Sequence, residues 1–217
     1  TDVSLIFTIF CLLILINGSN FIDGLNGLFI GYVLIIFFIT LKLDLFLELG
    51  QQKNLKEIEL IYFVGILIFL YLVNLSNKLF LGDNGTYSLS FLIGVVLIKI
   101  YNLNLDISPY FIILLLWYPC FENLFSIIRK TISKKNPLEP DNLHLHHLIF
   151  IFFNKNLSFN KLNSNNLSSI LINTFNFIIF YKATSDINLS YLQLSLISIC
   201  ILMYLLIFFL LRNSIKK

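Results

Sequence analysis

The chain has 217 residues, of which 58% are hydrophobic and 12% are charged, and its formal net charge is +3. A soluble domain carries about twice that charged fraction, so the composition excludes an ordinary soluble enzyme, and we expect no nucleic-acid partner. Leu, Ile and Phe form long continuous runs, which indicate membrane-spanning helices. The predicted fold class is all-α: a polytopic integral membrane protein.

A hydropathy window of about 19 residues predicts about seven transmembrane helices in a single domain, 1–217. They lie near 4–22, 25–43, 58–75, 86–101, 108–128, 167–182 and 189–211. The long polar segment between the fifth and sixth spans, 129–166, is predicted to be a cytoplasmic loop. With the start of the chain outside, ten of the fifteen Lys and Arg residues lie inside and five outside. Positive charge favours the cytoplasmic side, so the polar motifs described below are expected on the cytoplasmic face.

The first motif runs from residue 17 to residue 28 and separates the first two spans. Asn17, Asn20 and Asp23 share one helix face because they are spaced by three residues. Two amides and a carboxylate at a membrane boundary are costly unless they meet a partner. The motif therefore predicts part of a binding site, and the alternative is an ordinary Asn/Asp/Gly turn between two helices.

The second motif, residues 81–87, opens the fourth span. Asp83 and Thr86 could cap the helix that follows, and a carboxylate near a helix N-terminus is favourable. In the functional interpretation Asp83 is a Mg²⁺ ligand, because hard cations prefer carboxylate oxygens. Taken alone, this motif favours capping.

The third motif contains all three histidines of the chain, His144, His146 and His147, in the predicted loop. Neither zinc-type spacing nor a cysteine accompanies them, so metal binding by the histidines is the weaker interpretation. Imidazoles close to Arg129 suit phosphate oxygens as hydrogen-bond donors. The alternative is a hydrated loop in which the histidines cluster by chance.

Glu122 and Asn123 lie at the inner end of the fifth span. A purely structural helix would not need polar groups there.

Together the three motifs resemble those of the polyprenyl-phosphate N-acetylhexosamine-1-phosphate transferases. This bacterial family includes the undecaprenyl-phosphate GlcNAc-1-phosphate transferases and the phospho-MurNAc-pentapeptide translocase. Residues 17–28 are similar to its Asp-Gly motif, 81–86 to its Gly-Asp-x-Gly-Ser segment, and 129–147 to its histidine loop. The His-x-His-His form resembles the GlcNAc-1-phosphate branch more than the translocase.

The resemblance implies a Mg²⁺-dependent transfer of a sugar 1-phosphate from a UDP-N-acetylhexosamine to a polyprenyl (undecaprenyl) phosphate, with release of UMP. It places the protein in the inner membrane of a bacterium, in contact with membrane lipid. There it would start lipid-linked cell-envelope glycans such as lipopolysaccharide. Whether the chains pair as a homodimer is left open by the sequence. By the same resemblance Asp83 would hold the metal, and the expected catalytic residues are Asp23, Asp83, His144, His146 and His147. The expected substrate-binding residues are Asn17, Asn20, Arg129 and Asp141.

Two departures from the family pattern matter. Asn26 occupies the position of the family's second Asp in the first motif, and the sequence contains no Asp-Asp pair, which family members carry on an earlier loop. The resemblance covers the C-terminal two-thirds of a family member, and the N-terminal part is expected to be missing. The alternative function is a truncated, non-catalytic membrane protein that binds a nucleotide sugar or partners.

Overall fold

The computed structural model of the protein describes residues 2–45, 53–134, 136 and 143–215. Within these ranges the secondary structure is helical, without a strand. The helices are α1 (Asp2–Ile22), α2 (Leu28–Lys42), α3 (Lys53–Leu75), α4 (Gly82–Leu103), α5 (Pro109–Leu115), α6 (Trp117–Ile132), α7 (Leu145–Asn156), α8 (Lys161–Ala183) and α9 (Ser190–Ile215).

The predicted all-α membrane class is confirmed, and each predicted span coincides with a helix or, for the fifth, with the pair α5 and α6. Three helical segments of the described chain are long and apolar enough to cross a membrane: Leu5–Ile22, Gly82–Leu103 and Ser190–Ile215. The pair α5 and α6 makes a fourth if it counts as one bent span, and Leu28–Lys42 and Glu59–Leu75 are apolar but shorter. The number of seven spans stays a prediction.

The fifth predicted span is bent by 74° between α5 and α6. Pro119 explains the break, because proline lacks the N–H that would bond to the carbonyl of Leu115 and its ring clashes with that carbonyl. The Tyr32 hydroxyl donates to this Leu115 carbonyl oxygen at 2.9 Å. A buried tyrosine of α2 thus replaces the missing helix hydrogen bond and stabilises the bend.

The structure corrects the predicted loop 129–166. Helix α6 continues to Ile132, α7 occupies Leu145–Asn156, and α8 begins at Lys161. Leu145, Leu148 and Ile149 are buried, and their spacing of three and four residues forms one apolar helix face. This face packs α7 into the core and brings the histidines with it.

Aromatic rings join α6 to α9. The ring of Phe121 lies 4.9 Å from that of Tyr204, and the ring of Phe125 lies 4.9 Å from that of Phe208, both edge to face. Such aromatic pairs add to the free energy gained by burial alone. They fix the position of Tyr204 beside the N-terminal half of α6.

Helices α1 and α6 approach closely at Gly18. A Cβ atom on this residue would lie 2.0 Å from the carbonyl oxygen of Pro119. Because the obstacle is backbone, a side chain at position 18 would force the two helices apart.

We therefore expect Gly18→Ala to lower the free energy of unfolding by about 2 kcal/mol or more, as overpacking of a core does. Thermal unfolding of the detergent-solubilised protein measures this effect. Gly65→Ala is the control, because no atom lies within 4 Å of its added Cβ, and in a helix this exchange is neutral or stabilises by about 1 kcal/mol. Equal Tm values for the two variants would contradict the close α1–α6 contact.

Candidate functional site

The first two motifs meet through a hydrogen bond. The turn that follows α1 presents Asp23, and the Thr86 hydroxyl of α4 donates to Asp23 Oδ2 at 2.9 Å. Thr86 is fully buried and lies one helical turn after Asp83, which is exposed in the first turn of α4. The capping alternative is not what the structure shows, because the N-cap residue of α4 is Leu81, without a side-chain capping bond.

Asp23 and Asp83 lie close enough for their charges to interact. Burial raises the pKa of Asp23 from 3.8 to about 6; the negative charge of Asp83 adds to this effect, and the Thr86 hydrogen bond opposes it. Neither carboxylate forms a salt bridge with a lysine or arginine among the residues that the structure describes. This corner of the site therefore carries negative charge that the described side chains leave uncompensated.

The third motif contacts the first at Gly24. His144 is the N-cap residue of α7, so His146 and His147 lie in the first turn of that helix. A Cβ atom on Gly24 would lie 3.4 Å from Nε2 of His146 and 3.4 Å from Nε2 of His147. Two imidazoles thus face the backbone directly beside Asp23, where no side chain separates them from the turn.

Two of the three histidines favour the neutral form. Burial lowers the pKa of His146 well below its usual value, and the neighbouring His147 and His144 lower it further. Burial also lowers the pKa of His147. A positive charge is therefore disfavoured at His146 and His147. A neutral imidazole offers one N–H donor and one acceptor nitrogen.

His146 is fully buried, and neither of its ring nitrogens has a hydrogen-bond partner among the residues that the structure describes. Its ring lies 4.5 Å from that of His147 and 5.6 Å from that of His144. Buried polar groups are normally paired. The unpaired ring nitrogens of His146, beside Gly24 and the Asp23 turn, are therefore atoms to which a bound ligand could form hydrogen bonds.

Glu122 of α6 connects the histidines to the rest of the fold. It is 1% exposed, and its Oε1 lies 2.9 Å from Nδ1 of His144 and 2.8 Å from the hydroxyl of Tyr204. The sequence indicated Glu122 as a polar residue that a structural helix does not need, and the structure places it beside His144. Tyr204 was not indicated by the sequence, because a tyrosine within a long apolar helix looks like an ordinary core residue.

The expected substrate-binding residues are more scattered. Asn17 is exposed, while Asn20 is half-buried, with Nδ2 at 3.5 Å from the hydroxyl of Tyr87 on α4. The guanidinium of Arg129 lies 5.8 Å from the ring of Phe208 on α9. Asp141 is outside the described residues. Of these four, Asn20 is thus the one that a described contact places between the first two motifs.

A set of asparagines that the sequence analysis missed holds the turn between α1 and α2. Gly27 ends this turn with a φ of 73°, and its N–H donates to Asn74 Oδ1. Its carbonyl oxygen accepts from Asn173 Nδ2 at 3.1 Å, and the N–H of Asn26 donates to Asn165 Oδ1 at 2.7 Å. Buried backbone groups need such partners. We call these asparagines of α3 and α8 the asparagine clasp: Asn74, Asn165 and Asn173.

Asn26 has a structural role that explains its departure from the family pattern. Its Nδ2 donates to Asn77 Oδ1 at 3.1 Å, just after the end of α3. An aspartate carboxylate at position 26 would be an acceptor only and would face another acceptor. The amide therefore suits this site better than the acid does.

Asp23 and Asp83 are the described residues that could hold a divalent cation. Mg²⁺ is commonly bound by one or two carboxylates together with waters and substrate phosphates, and two carboxylates without a basic partner fit this pattern. No group of three or more His, Cys, Asp or Glu side chains in the described ranges is arranged to hold a metal ion. The histidine cluster therefore gives no support to a metal site built from protein ligands alone.

The clasp predicts an effect of distant asparagines on the turn. We expect Asn74→Ala to lower the free energy of unfolding by about 1–3 kcal/mol, because it leaves the buried N–H of Gly27 unpaired. Thermal unfolding in detergent measures it, with Asn102→Ala as the control, since Asn102 is exposed. If both variants unfold at the wild-type Tm, the clasp does not hold the turn.

Comparisons with known proteins agree with this arrangement. Residues 2–101 match the model of glycosyl transferase family 4. The chain is 31% identical over 138 residues to a probable undecaprenyl-phosphate N-acetylglucosaminyl 1-phosphate transferase of Bacillus subtilis, covering 63% of this chain and 37% of the relative. It is 29% identical over 135 residues to the undecaprenyl-phosphate alpha-N-acetylglucosaminyl 1-phosphate transferase of Thermotoga maritima, covering 62% and 39%.

A phospho-N-acetylmuramoyl-pentapeptide-transferase of Thermotoga maritima is 28% identical over 141 residues, covering 60% of this chain and 43% of the relative. The matched region thus spans between 37% and 43% of the length of these relatives. No solved structure matches the chain. The chain is thus similar over residues 2–101 to glycosyl transferase family 4, and the relatives that it matches include two undecaprenyl-phosphate N-acetylglucosaminyl 1-phosphate transferases and a phospho-N-acetylmuramoyl-pentapeptide-transferase.

Proposed function

We propose that the protein transfers a sugar 1-phosphate from a UDP-N-acetylhexosamine to a polyprenyl phosphate and releases UMP. The observation that carries this proposal is the contact of one turn with both other motifs: Asp23 accepts from Thr86, and Gly24 faces His146 and His147. Three segments that are far apart in sequence thus form one site. The activities for which the relatives are named suggest the reaction class.

The carboxylates suit the charge problem of this reaction. Donor and acceptor both carry phosphates, so their approach requires compensation of negative charge. Mg²⁺ supplies this compensation when bound, and Asp23 and Asp83 are the residues that would hold it. The substrate phosphates would complete the coordination, which accounts for a site that offers few protein ligands.

The imidazoles suit the neutral polar parts of the donor. His146 and His147 each offer one N–H donor. The ring nitrogens of His146 are buried and form no hydrogen bond with the described residues. Such groups recognise phosphate oxygens or the uracil ring by direct hydrogen bonds. Because the neutral form is favoured at these two histidines, they compete little with a cation for the carboxylates of Asp23 and Asp83.

The site lies where a lipid-linked acceptor can reach it. Asp23 directly follows Leu5–Ile22, and Asp83 lies in the first turn of Gly82–Leu103, two of the segments that can cross a membrane. A polyprenyl chain is apolar, so it stays in the bilayer while its phosphate lies at the surface. We propose the cytoplasmic face of a bacterial inner membrane, because the basic residues predict that side.

One observation favours a second candidate, a membrane protein that binds the nucleotide sugar without transferring it. The sequence has no Asp-Asp pair, which the family resemblance would lead us to expect. The arrangement of Asp23, Asp83 and the histidines would then serve binding alone. Separate measurements of binding and of transfer distinguish the two functions.

The first experiment measures transfer directly. Membranes that contain the protein receive Mg²⁺, polyprenyl phosphate and a panel of radiolabelled UDP-N-acetylhexosamines, and label in lipid and free UMP are counted. We expect transfer that requires Mg²⁺ and falls by about a hundredfold or more in Asp83→Asn, because the charge that would hold the metal is lost.

Asp106→Asn is the matched control for this experiment, since Asp106 is an exposed aspartate beyond the opposite end of α4 and should leave transfer unchanged. Binding of the UDP-sugar without transfer would establish the second candidate. The absence of both would overturn the proposed function.

A pH measurement tests the environment of Asp23. Because the fold raises the pKa of Asp23 from 3.8 to about 6, this group stabilises the fold below about pH 4, and that contribution is lost as the pH rises through about 6. In Mg²⁺-free buffer we expect the Tm of the wild type to fall relative to that of Asp23→Asn between pH 4 and 7. The comparison with the variant removes the titration of other groups. A constant difference in Tm would contradict the burial of this carboxylate.

A further inference from the structure

One carboxylate oxygen organises the histidine cluster. Glu122 Oε1 lies 2.9 Å from Nδ1 of His144, 2.8 Å from the hydroxyl of Tyr204 and 3.4 Å from the backbone nitrogen of Leu145. These three groups come from the start of α7 and from α9, whereas Glu122 belongs to α6. A single atom of a buried side chain thus joins three helices at the edge of the candidate site.

The geometry assigns the proton on His144. A backbone N–H can only donate, so Glu122 Oε1 acts as an acceptor towards Leu145. An ionised Glu122 has no hydrogen to donate, so Nδ1 of His144, which contacts the same oxygen, then carries a hydrogen that it donates. Only Nε2 of this histidine is left to meet a substrate.

The same oxygen stabilises the start of α7. The first N–H groups of a helix lack partners within the helix, and Leu145 supplies the first of them in α7. A carboxylate at this end also interacts favourably with the helix dipole. Because His146 and His147 follow in the same turn, the position of Glu122 sets how they face Gly24.

A buried glutamate at position 122 is unfavourable for the stability of the fold alone. Its Oε2 is buried and forms no regular hydrogen bond with the described residues, although Glu122 and the buried Tyr118 hydroxyl interact, and a buried carboxylate with an unsatisfied oxygen is costly. An apolar residue at this position of α6 would avoid that cost. Such costs are common where a group serves a site.

We propose that Glu122 is a positioning residue: it holds His144 with its Nδ1 hydrogen directed inward and its Nε2 available to the donor substrate. Tyr204 of α9 is the second support, since its hydroxyl bonds to the same oxygen. This inference rests on the proposed function for the identity of the substrate. Its structural part concerns the histidine alone and can be tested without any transfer.

The test compares Glu122→Ala, Glu122→Gln and Tyr204→Phe with the wild type in lipid nanodiscs. Diethyl pyrocarbonate labels accessible neutral imidazoles, and mass spectrometry of the digested protein gives the labelling rate of each histidine. Asn176→Ala is the matched control, because it removes an equally buried hydrogen bond from α6, the one between Trp117 Nε1 and Asn176 Oδ1 at 2.8 Å. That bond does not involve the histidines.

We expect Glu122→Ala to raise the labelling of His144 about tenfold or more, and Tyr204→Phe to raise it less. Glu122→Gln keeps an acceptor oxygen for Nδ1 and should stay within about threefold of the wild type. Asn176→Ala should leave the labelling of His144 unchanged even if its Tm falls. Unchanged labelling in Glu122→Ala, or equal increases in Glu122→Ala and Asn176→Ala, would overturn the proposal.

Transfer kinetics separate this inference from the proposed function. If the wild type transfers sugar, Glu122→Ala should lower kcat about tenfold to a hundredfold with a smaller change in KM, and Glu122→Gln should restore most of it. A change in Tm without a change in kcat or KM would show a merely structural role and overturn the proposal. If the wild type transfers nothing, the proposed function fails, and the labelling result still decides the role of Glu122.

Discussion

The turn between α1 and α2 must pair its buried backbone groups while it presents a carboxylate, and the rest of the site depends on this constraint. Gly27 adopts a positive φ, and its N–H and carbonyl oxygen bond to Asn74 and Asn173. Because side chains of α3 and α8 provide these bonds, the turn is fixed from outside. Asp23 is then free to accept from Thr86, and Gly24 is free to face the histidines. The asparagine clasp is thus the support on which the three motifs meet.

Charge is distributed unevenly over this site. The carboxylates of Asp23 and Asp83 interact without a basic partner in the described chain, and burial raises the pKa of Asp23 to about 6. Burial lowers the pKa of His146 well below its usual value, so the charge on the acids is not balanced from that side. A divalent cation would relieve the repulsion between the two carboxylates and would also offset the negative charge of bound phosphates. The unpaired nitrogens of His146 add a polar surface to which a ligand can bind.

Much of the site could be predicted from the sequence because its chemical groups are contiguous. Asp23, Asp83 and the histidine segment each stand in a polar stretch between apolar runs, and their contacts confirm that they converge. The supporting residues could not be predicted in this way. Asn173 is one of several asparagines and serines in α8, and Tyr204 lies in the long apolar helix α9; both are more than 80 residues from the atoms that they contact. The helical start of α7 was also missed, because its apolar face follows the histidines so closely that the whole segment resembled a polar loop.

The most direct test of a single site formed by three segments is calorimetric titration of the protein with UDP-N-acetylglucosamine, with and without Mg²⁺. Each single variant changes one of the three segments: Asp23→Asn, Asp83→Asn or His146→Ala. Each double variant combines two of these changes. The account predicts binding that depends on Mg²⁺ and is weakened about tenfold or more by each single change. In each double variant, the loss of binding free energy should be smaller than the sum of the two single losses, because the groups act on one ligand. Binding that ignores Mg²⁺, or losses that add independently, would contradict it.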